Sequence, residues 1–155
     1  MFGKEFEKAV DTIVEKYPDP RGAMLPVLWE IQNRKGWIDT ECEAWVAERL
    51  GTSPAHVHGA VTFYTMYKQR PSGKYHIQVC TTVSCMLRGC DELVEHLQTR
   101  LGIKVGETTP DGKFSLARVE CLGSCGTAPM FQLNDDYHEE LTPADVDRLL
   151  GGLSD

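Results

Sequence analysis

No apolar run in the 155 residues approaches the ~20 that a membrane-spanning helix requires. The start, Met1-Phe2-Gly3-Lys4-Glu5-Phe6-Glu7-Lys8, lacks the basic start and apolar core of a signal peptide and is too acidic for an organelle transit peptide. These absences predict a cytoplasmic chain with no direct membrane insertion. Basic residues are short as well: 16 Lys and Arg against 23 Asp and Glu give a net charge of -7. Phosphate binding needs a Lys/Arg surplus on at least one face, so nucleic acid is excluded as a partner. No Gly-x-Gly-x-x-Gly follows a strand pattern and no Walker loop occurs, which leaves the chain without an evident nucleotide site of its own. Cys-x-x-Cys, the spacing a thiol-disulfide enzyme sets at a helix start, is missing too. His56 and His58 lie two apart and do not share a helix face, against a zinc-protease pair.

What remains is a soluble globular composition, 41% hydrophobic and 25% charged, in a chain suited to one medium domain or two small ones. The first 70 residues carry helical periodicity. Phe6, Val10, Ile13 and Val14 make one stripe, closed by Tyr17-Pro18-Asp19-Pro20. A second helix is predicted from about Arg21 to Arg34, with Leu25, Leu28, Trp29 and Gln32 near one face and Gly36 as a left-handed stop. Thr40-Glu41-Cys42-Glu43 reads as a capping box with Thr40 as the cap, opening a helix that ends at Leu50-Gly51. Ser53-Pro54 opens a fourth helix through Val57 and Val61, extending toward Phe63 and Tyr64. The aromatic run Phe63-Tyr64-Thr65-Met66-Tyr67 reads first as packing of the helical part on the next domain, with a partner-protein contact as the alternative.

Gln69-Arg70-Pro71-Ser72-Gly73 reads as a linker, and the pattern then changes. Tyr75 to Cys80 alternates like a strand. A helix is predicted from Ser84 to Met86 onward, with Cys90, Leu93, Val94, Leu97 and Leu101 at helical spacing and Gly102 as its end. Pro110-Asp111-Gly112 is a turn. Strands follow at Phe114 to Glu120, Met130 to Leu133 and Tyr137 to Glu139, the last two joined by a turn at Asn134-Asp135-Asp136. Thr142-Pro143 caps a final helix through Val146, Leu149 and Leu150. Asp135, Asp136, Glu139 and Glu140 read as a solvated acidic hairpin. The fold class is α+β: a helical bundle over residues 1-70, then a β-α-β-β-β-α domain with a small mixed sheet over residues 71-155.

Six cysteines in a reducing compartment point to metal or redox chemistry rather than disulfides. Four form two local pairs, Cys80-x4-Cys85 and Cys121-x3-Cys125, each following a predicted strand. That places their sulfurs on loops at one edge of the sheet. Four thiolates suit a structural zinc or a 2Fe-2S cluster, two on each iron. The longer loops favour the cluster, and spacing alone leaves zinc and four unrelated thiols open. Cys90 opens an apolar helical stripe and Cys42 lies in a first helical turn, so both read as structural thiols. Gly89, Gly123, Ser124, Gly126, Thr127 and Ala128 are small enough to let backbone amides approach cluster sulfurs, or merely to permit tight turns.

The cysteine pattern, together with Ala60-Val61-Thr62-Phe63-Tyr64-Thr65-Met66-Tyr67, Gly73-Lys74-Tyr75-His76-Ile77-Gln78-Val79-Cys80, Leu101-Gly102-Ile103, Thr109-Pro110-Asp111-Gly112-Lys113-Phe114, Glu120-Cys121-Leu122-Gly123 and Asn134-Asp135-Asp136-Tyr137, resembles a known family nearly end to end. It is the thioredoxin-like 2Fe-2S subunit of the NADH dehydrogenase module of respiratory complex I, of the E-subunit type, with relatives in NAD-linked hydrogenases and formate dehydrogenases. The resemblance implies a thioredoxin-like C-terminal domain behind an N-terminal helical bundle, and one 2Fe-2S cluster on Cys80, Cys85, Cys121 and Cys125. Cys90 departs from it, standing where a small non-ligand residue is expected. The implied partners are an FMN- and NADH-binding flavoprotein subunit and further iron-sulfur subunits, so FMN and NAD(H) belong to the partner. The chain is then an oxidoreductase subunit with no substrate turnover of its own, cytoplasmic or peripheral to the inner membrane through its complex. The two local pairs predict that Cys80 and Cys85 hold one iron and Cys121 and Cys125 the other. About 5% of X-Pro bonds are cis, which favours trans at Ala128-Pro129, although thioredoxin-like folds often place a cis-proline at that point.

Overall fold

In the computed structural model, residues 2-154 are described, so the outer domain limits expected at residues 1 and 155 lie outside the described residues. Two compact units divide the chain, Met1–Pro71 and Ser72–Asp155.

The first unit is helical: α1 (Lys4–Val14), a 3-10 turn (Pro20–Ala23), α2 (Met24–Lys35), α3 (Thr40–Leu50) and α4 (Pro54–Phe63). Phe6 and Val10 of α1 are buried as the stripe requires. The inward face of α2 differs from expectation. Met24, Val27, Leu28, Ile31 and Gln32 are buried, whereas Leu25 and Trp29 are 36% and 42% exposed. Met24, Leu28 and Ile31 form an i, i+4, i+7 row, and Leu25 and Trp29 sit one residue round from it. Gln32 is buried with both ends used, donating from Nε2 to Met66 O (2.7 Å) and accepting from Lys68 N (2.6 Å).

Gly36 takes φ 92°, the left-handed stop expected after α2, and Gly51, where α3 was expected to end, is left-handed too at φ 63°. The cap of α3 is Asp39 rather than Thr40: its side chain accepts from Cys42 N and also binds the Lys35 ammonium. The carboxylate gives one oxygen to the Cys42 amide and the other to the lysine, with a negative charge that a threonine hydroxyl lacks. Glu43 does not reach back to a cap; its Oε1 lies 2.9 Å from His58 Nδ1. Ser53 caps α4 and Pro54 is its first residue. Phe63, Tyr64 and Met66 are exposed, Phe63 at 77%, while Tyr67 is buried with its hydroxyl donating to Leu25 O.

The second unit contains β1 (Tyr75–Cys80), α5 (Val83–Leu87), α6 (Cys90–Leu101), β2 (Phe114–Val119), a 3-10 turn (Cys125–Thr127), β3 (Phe131–Leu133), β4 (Asp136–His138) and α7 (Pro143–Gly151). The expected single helix after Cys85 is two, because Gly89 at φ 92° breaks the run after Leu87 and starts α6 afresh. The four strands order β2-β1-β3-β4. β1 pairs parallel with β2, and antiparallel pairs link β1 to β3 and β3 to β4, making the sheet mixed. Ile77, Val79, Leu116 and Phe131 pack with Leu93, Leu97 and Val146 into one core. Each such side chain contributes roughly 1.5–3 kcal/mol on burial. Thr142 and Asp145 form a reciprocal capping box on α7. The Ala128-Pro129 bond is cis, against the trans expectation.

Candidate metal centre

The parallel pairing builds the site. Cys80, the last residue of β1, stands opposite Val119, the last of β2, and both strands run in one direction, so the loops after them leave the sheet at the same edge. One loop carries Cys85 into α5, and the other carries Cys121 and then Cys125. Thr81 closes the seam, its N–H donating to Val119 O (3.1 Å) and its hydroxyl to the same oxygen (3.3 Å). On the other flank Cys80 N donates to Met130 O.

The four sulfurs are differently exposed. Cys80 and Cys85 are buried at 2% and 1%, whereas Cys121 and Cys125 are exposed. Cys121 Sγ and Cys125 Sγ lie 3.6 Å apart. Two thiolates on one tetrahedral metal with bonds of ~2.3 Å sit about 3.8 Å apart, so this pair already has the spacing of two ligands on a common metal. Among the described residues, no three His, Cys, Asp or Glu side chains are grouped to hold a single ion; the donors come as two pairs.

Polar groups from each loop reach the other. Thr82 Oγ1 lies 3.5 Å from Cys80 Sγ and also favours the thiolate of Cys121. Ser84 favours the thiolate of Cys125, and the Leu122 N–H that of Cys80. Gly123 N donates to Cys121 Sγ (3.4 Å), with Gly123 at φ 86°. Burial opposes ionisation of Cys80, but hydrogen bonds from Thr82, Leu122 and Cys85 outweigh it and hold the thiol below its usual value. Burial and the neighbouring Cys80 push Cys85 up to about 11. The Gly123 amide, with Cys125 and Thr82, lowers Cys121, and Cys121 in turn raises Cys125. Four sulfurs with amide and hydroxyl donors aimed at them are a donor set that fits an anionic iron-sulfur cluster.

The remaining two cysteines differ in their distance from the quartet: Cys90 shares the core of Cys80 and Cys85 and interacts electrostatically with both, whereas Cys42 lies in the first unit. Cys90 is fully buried in the core of the second unit, where burial raises its thiol. Cys42 is fully buried in the first unit, 3.5 Å from Lys35 Nζ. Other parts of the site carried no legible signal. Glu139, exposed as expected, also accepts from the hydroxyls of Ser124 and Thr127. Ser124 and Thr127 therefore brace the second cysteine loop instead of the sulfurs. Thr82 touches Cys80 from two residues along the same loop, whereas Tyr137 reaches Leu122 from 15 positions away, which no local spacing reports.

A small mixed sheet with two cysteine pairs on adjacent loops at one edge is the framework of a thioredoxin-like iron-sulfur protein. The family profile of the thioredoxin-like 2Fe-2S ferredoxins matches residues 10–154, and the chain belongs to that family, whose cofactor is a single 2Fe-2S cluster. It is 49% identical over 141 residues to NADH-quinone oxidoreductase subunit 2 of Thermus thermophilus, covering 89% of this chain and 78% of the relative. It is 45% identical to an NADH-quinone oxidoreductase subunit of Rhizobium meliloti (91% and 84% covered) and 43% identical to one of Rickettsia prowazekii (96% and 86% covered), both of the E type. Among solved structures, an NAD+-reducing NiFe-hydrogenase in the air-oxidised state superposes with a TM-score of 0.71 at 23% identity. That match covers 83% of this chain and 22% of the hydrogenase chain, and it bears on the fold alone. Among the described residues no helix is long and apolar enough to cross a membrane.

Proposed function

We propose that this chain is the electron-transfer subunit of an NADH-oxidising complex of the NADH:quinone oxidoreductase kind, with the thiolates of Cys80, Cys85, Cys121 and Cys125 as ligands of its cluster. A bound 2Fe-2S cluster supplies one-electron redox chemistry. The observation that carries the reading is the convergence of two cysteine pairs at the end of the parallel strands, in a chain of the 2Fe-2S family. Cys80 and Cys85 hold one iron and Cys121 and Cys125 the other, which the 3.6 Å separation of the second pair supports. The chain's part is to hold the ligands, to aim donors at them and to seat them against a partner.

That partner is the FMN- and NADH-binding subunit, with further iron-sulfur subunits beyond it. The helical unit and the thioredoxin-like unit are separate domains of the subunit. Val83, Met86 and Leu87, exposed at 65%, 53% and 78% on the helix that carries Cys85, are the apolar surface expected at the flavoprotein contact. The complex brings the chain to the inner membrane as a peripheral component. Iron and acid-labile sulfide analysis, with EPR of the dithionite-reduced protein, tests the reading. Two irons and two sulfides per chain with a reduced-cluster signal are expected; zinc without iron overturns it.

A further inference from the structure

Tyr137 is 47% exposed on the edge strand β4, so core packing does not account for it. Its hydroxyl donates to Leu122 O (2.8 Å). The same peptide unit, on its other side, presents the Gly123 N–H to Cys121 Sγ (3.4 Å). Hydroxyl, carbonyl, amide and sulfur therefore form one chain of hydrogen bonds. Gly123 sits at φ +86°, and a Cβ there would meet nothing within 4 Å. Glycine is required for the left-handed angle by which the chain turns just after that amide, rather than for space.

We infer that Tyr137 is a positioning residue for the cluster: through the Leu122-Gly123 peptide it strengthens the hydrogen bond on Cys121 Sγ and so raises the reduction potential. The inference rests on the proposed cluster ligands. A reduced cluster carries one more negative charge, so an amide donor on its sulfur stabilises the reduced form more than the oxidised one. A hydroxyl donating to the carbonyl of that amide polarises its N–H, by about 10–30% of the bond in a hydrogen-bonded chain. The loop does not depend on Tyr137 alone for its shape. Glu139 accepts from Ser124 and from Thr127 (2.6 Å), and Glu140 N donates to Thr127 O (2.8 Å). Deleting the hydroxyl therefore removes the polarisation while leaving the loop fastened.

The test is an EPR-monitored redox titration of the full-length, iron-loaded protein, comparing wild type, Tyr137→Phe and a protein with 3-fluorotyrosine placed at 137, whose more acidic phenol is a stronger donor. Only the difference between the two redox states moves the potential, so 10–30% of a hydrogen bond to a charged group sets a ceiling of roughly 1.3- to 4.6-fold on the change in the reduction equilibrium. A central value of about 2.5-fold is ~23 mV, at 59 mV per tenfold for one electron. Tyr137→Phe is expected to lower the potential and the fluorinated protein to raise it. Equal potentials, or shifts of the same sign, with the 2Fe-2S signal intact, overturn the inference. Should Tyr137→Phe load poorly with iron, the fluorinated protein decides alone, because an unmoved potential there is equally contrary. Absence of a 2Fe-2S signal in the wild type refutes the ligand reading instead.

Discussion

Gly73 reads in the sequence as linker, yet the structure places it against the start of β2 with no room for a side chain. A Cβ built on it lies 2.5 Å from the carbonyl carbon of Phe114, 2.8 Å from Ser115 N and 2.9 Å from Phe114 Cα. Carbon pairs rest at 3.5–4.0 Å, so Gly73→Ala must open the start of β1 from the start of β2 by about 1 Å. All three neighbours are backbone atoms and have no rotamer to escape into. The opening pulls on Lys74 N to Gly112 O (3.0 Å), Tyr75 N to Lys113 O (2.8 Å) and Gly73 N to Ser115 Oγ (3.2 Å). Losing two of these costs about 1 kcal/mol each, and the overpacking adds about 1–3 kcal/mol. Stiffening of the unfolded chain returns about 0.4–1 kcal/mol. The net cost is about 2–4.6 kcal/mol, a large share of a typical 5–15 kcal/mol stability. Hydrogen exchange at the β1 and β2 amides reads it directly, as a fall in protection of about 30- to 2,400-fold at 1.36 kcal/mol per tenfold. Trp29, Trp37 and Trp45 all lie in the first unit, so tryptophan fluorescence serves as an internal control. Protection within about twofold of wild type refutes the reasoning.

Cys90→Ala is expected to keep the wild-type iron content and EPR signal, whereas Cys85→Ser loses iron; equal losses would put Cys90 among the ligands. Leu87→Glu places a charge on the apolar face beside Cys85 and is expected to weaken association with the flavoprotein subunit at least tenfold, with iron content unchanged, as measured by pull-down and titration. For the pH dependence, the Thr142 hydroxyl and then its backbone N–H hold Asp145 below the usual 3.8. A carboxyl lowered on folding stabilises fully above 3.8, and the contribution is lost as pH falls through the lowered value. Thermal melts should therefore decline below about pH 4, and Asp145→Asn should decline less over that window. An identical decline in both proteins would remove the capping box from the account.

Local chemistry made much of the fold legible. Ser53-Pro54, Gly51, Gly102 and Thr142-Pro143 mark helix ends because a cap or a left-handed turn is satisfied by residues within one turn of the chain. The two cysteine pairs were legible for the same reason, since each pair spans only a few residues. Where two neighbouring residues competed for one role, the sequence was ambiguous. Asp39 caps α3 in place of Thr40 because Lys35, from the preceding helix, supports a carboxylate there. Leu25 and Trp29 yield the buried face of α2 to Met24 and Ile31, a choice set by the neighbouring helices.

By itself the sequence determined which residues can bind metal, where the elements begin and end, and which family the pattern resembles. Only the tertiary structure decided that the parallel pairing of β1 with β2 sets Cys80 beside the loop of Cys121. It also decided that Gly73 is a point of close approach, and that Tyr137 meets the peptide whose amide faces a ligand sulfur. Each of these joins residues 15 or more positions apart. Such contacts are fixed by strand order and register, which hydrophobic periodicity and spacing do not encode.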